Sequence, residues 1–455
     1  MISSIYIASI PFIVMLFTFY GLLNIIKKPI NLLFIIIFTF LFKNFYVFIG
    51  TRIDIWMILS LMFLAIYSFK WLIEYRNYNK SVYEFLLIFF IIYVVSMTLI
   101  NQYFFIDFNL HIMKGGFLKN EGRIISQLVF FFLTINLIFI SYFLIKENNH
   151  ISKILNLIIL ACKILTVFAI FQYVIVNILG QSNPFPISGS DGILHSGYIL
   201  DKTFRLNSIA GEPKHLGIVM SLGIILLFLS KLNNVKLSSY TNLWILSFVF
   251  VLFYTYSTTG YALTIIGIGL SLLFVGFLNK RVFLFLLITT VISITFISYN
   301  FTLDETFISQ SSKNSLEIQD LTVYEYLINE NIFHAFIGTG LGNIHHFAVD
   351  YFPSYFPLFK DNPYKANSGI LFMLADYGLI GIIILYSIVF FLLKRLLYYA
   401  KHTTILTNEE KIIIYFTVVL SILFLFRYYE LFFIFLGIVL KINKLIKERE
   451  IEIRN

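Results

Sequence analysis

The sequence predicts an all-α polytopic membrane protein of twelve or thirteen transmembrane helices, and three observations carry that expectation. First, 59% of the 455 residues are hydrophobic and only 13% charged, with a mean hydropathy of +0.88. A soluble domain keeps roughly a quarter of its residues charged, so lipid must cover this surface. Second, the apolar residues fall into long runs close to the ~20 residues that cross a hydrocarbon core of about 30 Å. Third, Lys and Arg gather in alternate connections between those runs, the pattern that sets membrane orientation.

The runs lie near 5–26, 29–49, 54–73, 83–100, 124–145, 154–179, 216–230, 242–257, 260–278, 282–299, 366–393, 411–426 and 431–446. The segment 216–230 is short and is expected to extend back toward Glu212. The first run lacks a basic flank and is too long for the apolar region of a cleavable signal peptide. With Lys70–Lys80 placed in the cytoplasm, that side collects 20 of the 33 basic residues and 8 of the 24 acidic ones. The opposite side holds 11 basic and 15 acidic residues, while Lys43, Lys163 and Asp376 fall within spans. The net charge of +9 is therefore a topology signal and not a nucleic-acid footprint. The lone Cys162 excludes a disulfide framework and a cysteine metal site. The 53 Phe and 29 Tyr suit lipid-facing surfaces and interfacial belts.

Cytoplasmic connections are short, whereas the outer segments 101–123, 180–215 and 300–365 are long and hold six of the eight histidines. Long loops on one face are where binding and catalysis concentrate. With no linker or internal repeat in view, residues 1–455 are read as one membrane domain, with 180–215 and 300–365 as a cap over an active site.

Candidate residues follow along the chain. Arg123, just before a span, either anchors at the interface or holds an anionic headgroup. The stretch from Asp201 to Gly217 is the richest: Lys202, Arg205, Glu212, Lys214 and His215 crowd a membrane boundary. Pro213 suits the first turn of a helix, which puts Glu212 at its N-cap, where the dipole favours negative charge. Capping needs one acid, so the other four ionisable groups ask for a function. From Leu316 to Ile332, apolar residues at Leu321, Tyr324, Leu327, Ile328 and Ile332 predict an amphipathic helix. The following Gly338-Thr339-Gly340-Leu341-Gly342-Asn343 lacks a preceding strand and a nucleotide-binding lysine, so a tight packed turn is expected. His345 and His346 are adjacent, project differently and have no carboxylate at ligand spacing, so no metal is expected. Asp376, inside a span, needs a partner or a wet cavity, and Lys163 is a candidate partner. For Arg427 and Glu430 the plain reading is a local i, i+3 ion pair.

The order of these features resembles the Wzy-type O-antigen and capsular polysaccharide polymerases, and more distantly the O-antigen ligases. The resemblance rests on Arg205, on Gly-Glu-Pro at a helix start, on Gly-Thr-Gly-Leu-Gly-Asn closing the large loop, and on Ala-Asp-Tyr-Gly-Leu-Ile-Gly in the next span. It implies a metal-independent glycosyltransferase of the GT-C class with no cofactor, in the bacterial cytoplasmic membrane with its active site facing the periplasm. That enzyme would move a growing glycan from undecaprenyl diphosphate onto a lipid-linked repeat unit, with a chain-length regulator as a further partner. Arg205 matches the family's arginine near the donor diphosphate, and Glu212-Pro213 its Glu-Pro. Asn367 stands where ligase-type relatives carry His-Asn, but Ala366 precedes it; Ser257-Thr258-Thr259-Gly260 lacks the family's serine-arginine. These departures favour polymerase over ligase. Leaving-group charge asks for fixed cations, here Arg205, Lys214, Arg123 and Arg427, with Asn367 and His345 as further substrate contacts. The acceptor hydroxyl asks for a base, Glu212 or His215. The rival outside catalysis is a flippase or another transporter of lipid-linked oligosaccharide, which would keep its charges at midplane and show internal repeats.

Overall fold

The structure, a computed structural model, describes residues 2–42, 46–49, 51–76, 81–104, 120–185, 198–199, 203–276, 320–348, 351, 368–427 and 429–454. Nearly all of this is helix. In order come α1 (Ile2–Lys27), α2 (Ile30–Leu41), α3 (Ile55–Arg76), α4 (Val82–Phe104), α5 (Asn120–Leu144) and α6 (Asn148–Tyr173), the last continued by a π turn, Val174–Ile178. Then follow α7 (Pro213–Leu232), α8 (Thr241–Thr255), α9 (Thr258–Val275), the short α10 (Ile332–Ile337) and α11 (Ile344–Ala348), and finally α12 (Gly369–His402), α13 (Asn408–Phe426) and α14 (Leu431–Arg454). Residues 320–330 are also helical and end in a π turn.

Eleven of the thirteen expected spans coincide with helices, 29–49 does so only in its first part, and 282–299 lies outside the described residues. Among the described residues six helices are long and apolar enough to cross a membrane: Val82–Phe104, Ile125–Leu144, Asn148–Ile178, Pro213–Leu232, Thr258–Val275 and Gly369–His402. The chain is thus an all-α, multi-pass membrane protein. One expected span is corrected. Residues 29–49 do not form a single helix: α2 stops at Leu41, and β1 (Tyr46–Ile49) pairs antiparallel with β2 (Thr51–Asp54). The aromatic and β-branched residues on either side of Gly50 favour a hairpin over a continued helix.

Helix ends are written in local chemistry. Ser81 and Glu84 exchange capping hydrogen bonds at the start of α4, and Thr407 with Glu410 forms a full capping box on α13. Ser257 accepts the Gly260 N–H to start α9, and Pro213 opens α7. The core is centred on α7, which α6, α8, α9 and α13 surround. Small residues bring the backbones close. A Cβ on Gly217 would lie 2.4 Å from that of Ser257, and one on Gly260 would lie 2.9 Å from the Gly217 carbonyl. Ser221 Oγ, 2.7 Å from both the Gly217 and the Gly260 carbonyls, ties α7 to α9.

The Gly338–Asn343 segment is the expected tight turn, but it sits inside the bundle between α4 and α12. Tyr93 Oη donates to the Ile337 carbonyl (2.8 Å), Asn101 Nδ2 to that of Gly338 (3.2 Å), and the Leu341 N–H to Thr98 Oγ1 (3.0 Å). From the other side the Thr339 N–H reaches the Ala375 carbonyl (2.7 Å) and the Gly342 N–H reaches Asp376 Oδ1 (3.1 Å). Non-helical backbone at membrane depth survives only when its polar groups are satisfied in this way.

The crossing itself needs two glycines with positive φ, Gly338 (+81°) and Gly378 (+65°), the latter kinking α12. A Cβ on Gly378 would lie 2.2 Å from the Gly338 nitrogen, so no other residue fits. Helical residues 320–330 form an amphipathic element: Val323, Tyr326 and Leu327 are buried, while Leu321, Tyr324 and Ile328, and Ile332 after them, are exposed.

Candidate active site

Loop 203–212 is held by a buried amide network before it reaches α7. Gln172, on α6, accepts the Asn207 and Ser208 N–H groups at Oε1 (3.1 and 2.8 Å) and donates from Nε2 to Asn183 Oδ1 (2.7 Å). Ser208 Oγ donates to the Leu165 carbonyl (2.8 Å), and the Leu206 N–H pairs with the Tyr254 carbonyl (3.0 Å). These bonds fix Arg205 at the α8–α9 turn. Its Nε donates to the Thr255 carbonyl (3.1 Å) and Nη2 to the Tyr256 carbonyl (3.4 Å), where the negative end of α8 attracts a cation. Burial pulls the guanidinium below its ordinary pKa, with the Tyr261 phenol acting the other way; an arginine starts so high that it stays charged. Two of its five N–H donors are used, and the others have no partner among the described residues.

Glu212 occupies the N-cap of α7, in extended conformation, but its carboxylate makes no capping hydrogen bond. Instead Oε2 lies 3.7 Å from Arg427 Nη2. This overturns the local Arg427–Glu430 pairing as the plain reading of Arg427: its carboxylate partner comes from α7, 215 residues earlier in the chain, because α13 ends beside the start of α7. Among the described residues, Arg427 Nη1 is buried without a hydrogen-bond partner, as is the Tyr429 hydroxyl. Burial holds the Tyr429 phenol well above its usual pKa, so it stays protonated. The start of α12 closes on the same place, for a Cβ on Gly369 would lie 2.7 Å from the Arg427 nitrogen.

His215 is 1% exposed, its Nε2 is 3.2 Å from the Leu41 carbonyl, and its ring packs 6.0 Å from that of Tyr429. A carbonyl only accepts, so Nε2 carries the proton and any base role falls to Nδ1. Lys214 is half-buried on the first turn of α7. Asn367 lies outside the described residues, as do Lys202 and the side chains of Arg123 and His345.

Lys163 and Asp376 do not meet. Asp376, 3% exposed, accepts from the Gly342 N–H, whereas Lys163 Nζ reaches Ser238 Oγ (2.7 Å) and stacks over Trp244 (5.1 Å) at the other end of the bundle. Each is satisfied at its own depth, Lys163 by stretching toward the interface. Gln172, Asn207 and Tyr429 carry the site's framework and were not singled out by sequence. An amide amid the apolar residues of α6 was the available signal.

The arrangement is a multi-pass helical bundle with paired and partly unpaired cations at the ends of its helices. Residues 242–386 match the family model described as O-antigen ligase. The matched stretch contains α8, α9, the glycine turn and the kinked start of α12; Arg205 and Glu212 precede it, and Arg427 follows it. The match is consistent with a Wzy-type O-antigen polymerase–ligase superfamily and suggests a glycosyltransferase-like membrane enzyme. No curated protein and no solved structure matches the chain.

Proposed function

We propose that the protein is a polysaccharide polymerase of the bacterial cytoplasmic membrane. In this reading it moves a growing glycan from undecaprenyl diphosphate to a lipid-linked repeat unit at the outer face. The observation that carries it is the Glu212–Arg427 pair, 3.7 Å apart at the start of the helix that the Arg205 loop enters, with Arg427 Nη1 buried and left without a partner among the described residues. Glu212 takes the proton of the acceptor hydroxyl as its oxygen bonds to the anomeric carbon. The bond from that carbon to the diphosphate oxygen breaks, and the electron pair leaves with the diphosphate. Arg205 and Arg427 stabilise the charge that develops there, in a site with little water. His215, with its ring locked between Leu41 and Tyr429, supports the start of α7.

The description of the matched family favours one second reading, a ligase that transfers finished polymer to another lipid. Deletion of the gene in its native host separates them. Loss of a polymerase leaves single repeat units on the cell surface, whereas loss of a ligase leaves full-length polymer on the carrier lipid. Loss of a flippase leaves no surface glycan at all, and that result would overturn both transferase readings.

A further inference from the structure

The other end of the bundle holds a group of cations that the proposed reaction does not use. From Pro213 to Leu303 the chain contains no Asp or Glu, yet Lys231 and Lys236 flank the connection between α7 and α8. That connection forms a cleft of about 570 Å³, lined by Lys231, Lys236, Asn234, Tyr240, Thr241 and Asn242 among others. Lys231 Nζ leans on Asn242 Oδ1 at 3.3 Å, a neutral partner. Lys163 stretches out of α6 to Ser238, two residues beyond Lys236, and places a third ammonium beside this connection, outside the cleft lining itself. None of the three pairs with a carboxylate among the described residues. The first turn of α8 opens onto the cleft with no side-chain cap, so its dipole adds positive potential. An apolar track leads away from it: Leu243, Leu246, Val249 and Phe253 recur along α8 and are 60%, 67%, 44% and 58% exposed.

We propose that this cleft binds the headgroup of an anionic phospholipid, with an acyl chain lying along the α8 track. Cations at a membrane boundary with no carboxylate partner among the described residues are matched by an anion that the membrane can supply. A basic pocket between helices beside an apolar strip has the shape of such a ligand. The site is independent of the transferase reading, since it lies at the opposite helix ends.

The test uses the full chain in nanodiscs containing phosphatidylglycerol and phosphatidylcholine. Native mass spectrometry then counts the phosphatidylglycerol retained after release, and a melting curve records stabilisation. Lys231→Gln with Lys236→Gln should weaken capture on the order of 25-fold, ~5-fold for each lysine. Both side chains lie at the surface, so the double variant should fold. Lys394→Gln with Lys401→Gln removes equal charge from the same end elsewhere and should leave capture intact. Equal losses in both double variants would mean bulk attraction and overturn the site. So would a matching stabilisation by inorganic phosphate alone, which would mark a soluble-anion pocket.

Discussion

At the scale of the residue, Arg205 illustrates how one side chain serves structure and chemistry together. Its Nε and Nη2 close the end of α8 on the Thr255 and Tyr256 carbonyls, so its place does not depend on a ligand. Arg205→Ala should therefore remove one charge stabiliser, worth on the order of a 10²–10³-fold fall in transfer rate. Arg205→Lys should recover little, because a compact ammonium lacks the rigid planar fork that spans two carbonyls and presents separate N–H groups to an anion. Polymer length on a gel, read against the amount of protein in the membrane, checks both. Glu212→Gln keeps the shape of the N-cap and loses the proton acceptor, so polymer should vanish while the protein level holds; normal chain length would sink the assignment. Much of this was legible in the sequence. Pro213 marked the helix start and thereby put Glu212 at its N-cap. The Arg427 partner was not legible, because 215 residues separate the pair and only the packing of α13 against α7 joins them. The local Glu430 looked nearer in sequence and is not the partner that Arg427 takes.

At the scale of the element, the glycine turn between α10 and α11 shows where sequence reading stops. A run of alternating glycines without strand or lysine told of a tight turn, but not of its depth. Depth comes from Thr98, six residues from the end of α4, and from Asp376, seven residues into α12, each roughly 10 Å below the helix ends. Gly378→Ala forces a Cβ onto the Gly338 backbone at positive φ and should cost about 2–4 kcal/mol, seen as a lower melting temperature in detergent.

The same element carries a proton-sensitive contact. Burial lowers the His334 pKa below its ordinary 6.5, and its Nδ1 meets the Tyr326 hydroxyl. Burial also raises the Tyr326 pKa, so the phenol keeps its proton and donates to neutral His334. The unfolded segment therefore binds the proton more readily than the folded one. The stabilisation is complete above pH 6.5 and falls as pH drops from there toward the folded pKa. Hydrogen exchange across residues 320–348 should quicken at pH 5 relative to pH 7, after correction for intrinsic rates. In His334→Asn that extra acceleration should disappear.

At the scale of the whole molecule, the two ends of the bundle are built on different principles. At the end that holds Arg205, Glu212 and Arg427, the buried Arg427 Nη1 and Tyr429 hydroxyl have no partner among the described residues, a state that stability alone disfavours and ligand binding would repair. At the opposite end one polar contact ties three helices together. Arg449 on α14 makes a two-pronged pair with Glu410 on α13, at 2.9 and 3.0 Å, and also donates to the Ile405 carbonyl and Asn148 Oδ1. The Glu410 side chain is wholly buried and at the same time completes the capping box with Thr407. Three helices, α6, α13 and α14, thus meet at one guanidinium, and the Glu410 hydrogen bond raises its pKa further.

Breaking one half of such a pair strands the other charge. Arg449→Met alone should therefore destabilise by about 3–5 kcal/mol, while Arg449→Met with Glu410→Met should recover part of that loss. The recovery should be incomplete, because Glu410 also accepts the Thr407 N–H at 2.8 Å and its removal costs the cap about 1 kcal/mol. A double-mutant cycle on melting temperature measures the coupling. Additive losses would show that α14 is held by its apolar contacts with α5 and α13 alone, and that the polar clamp contributes only orientation.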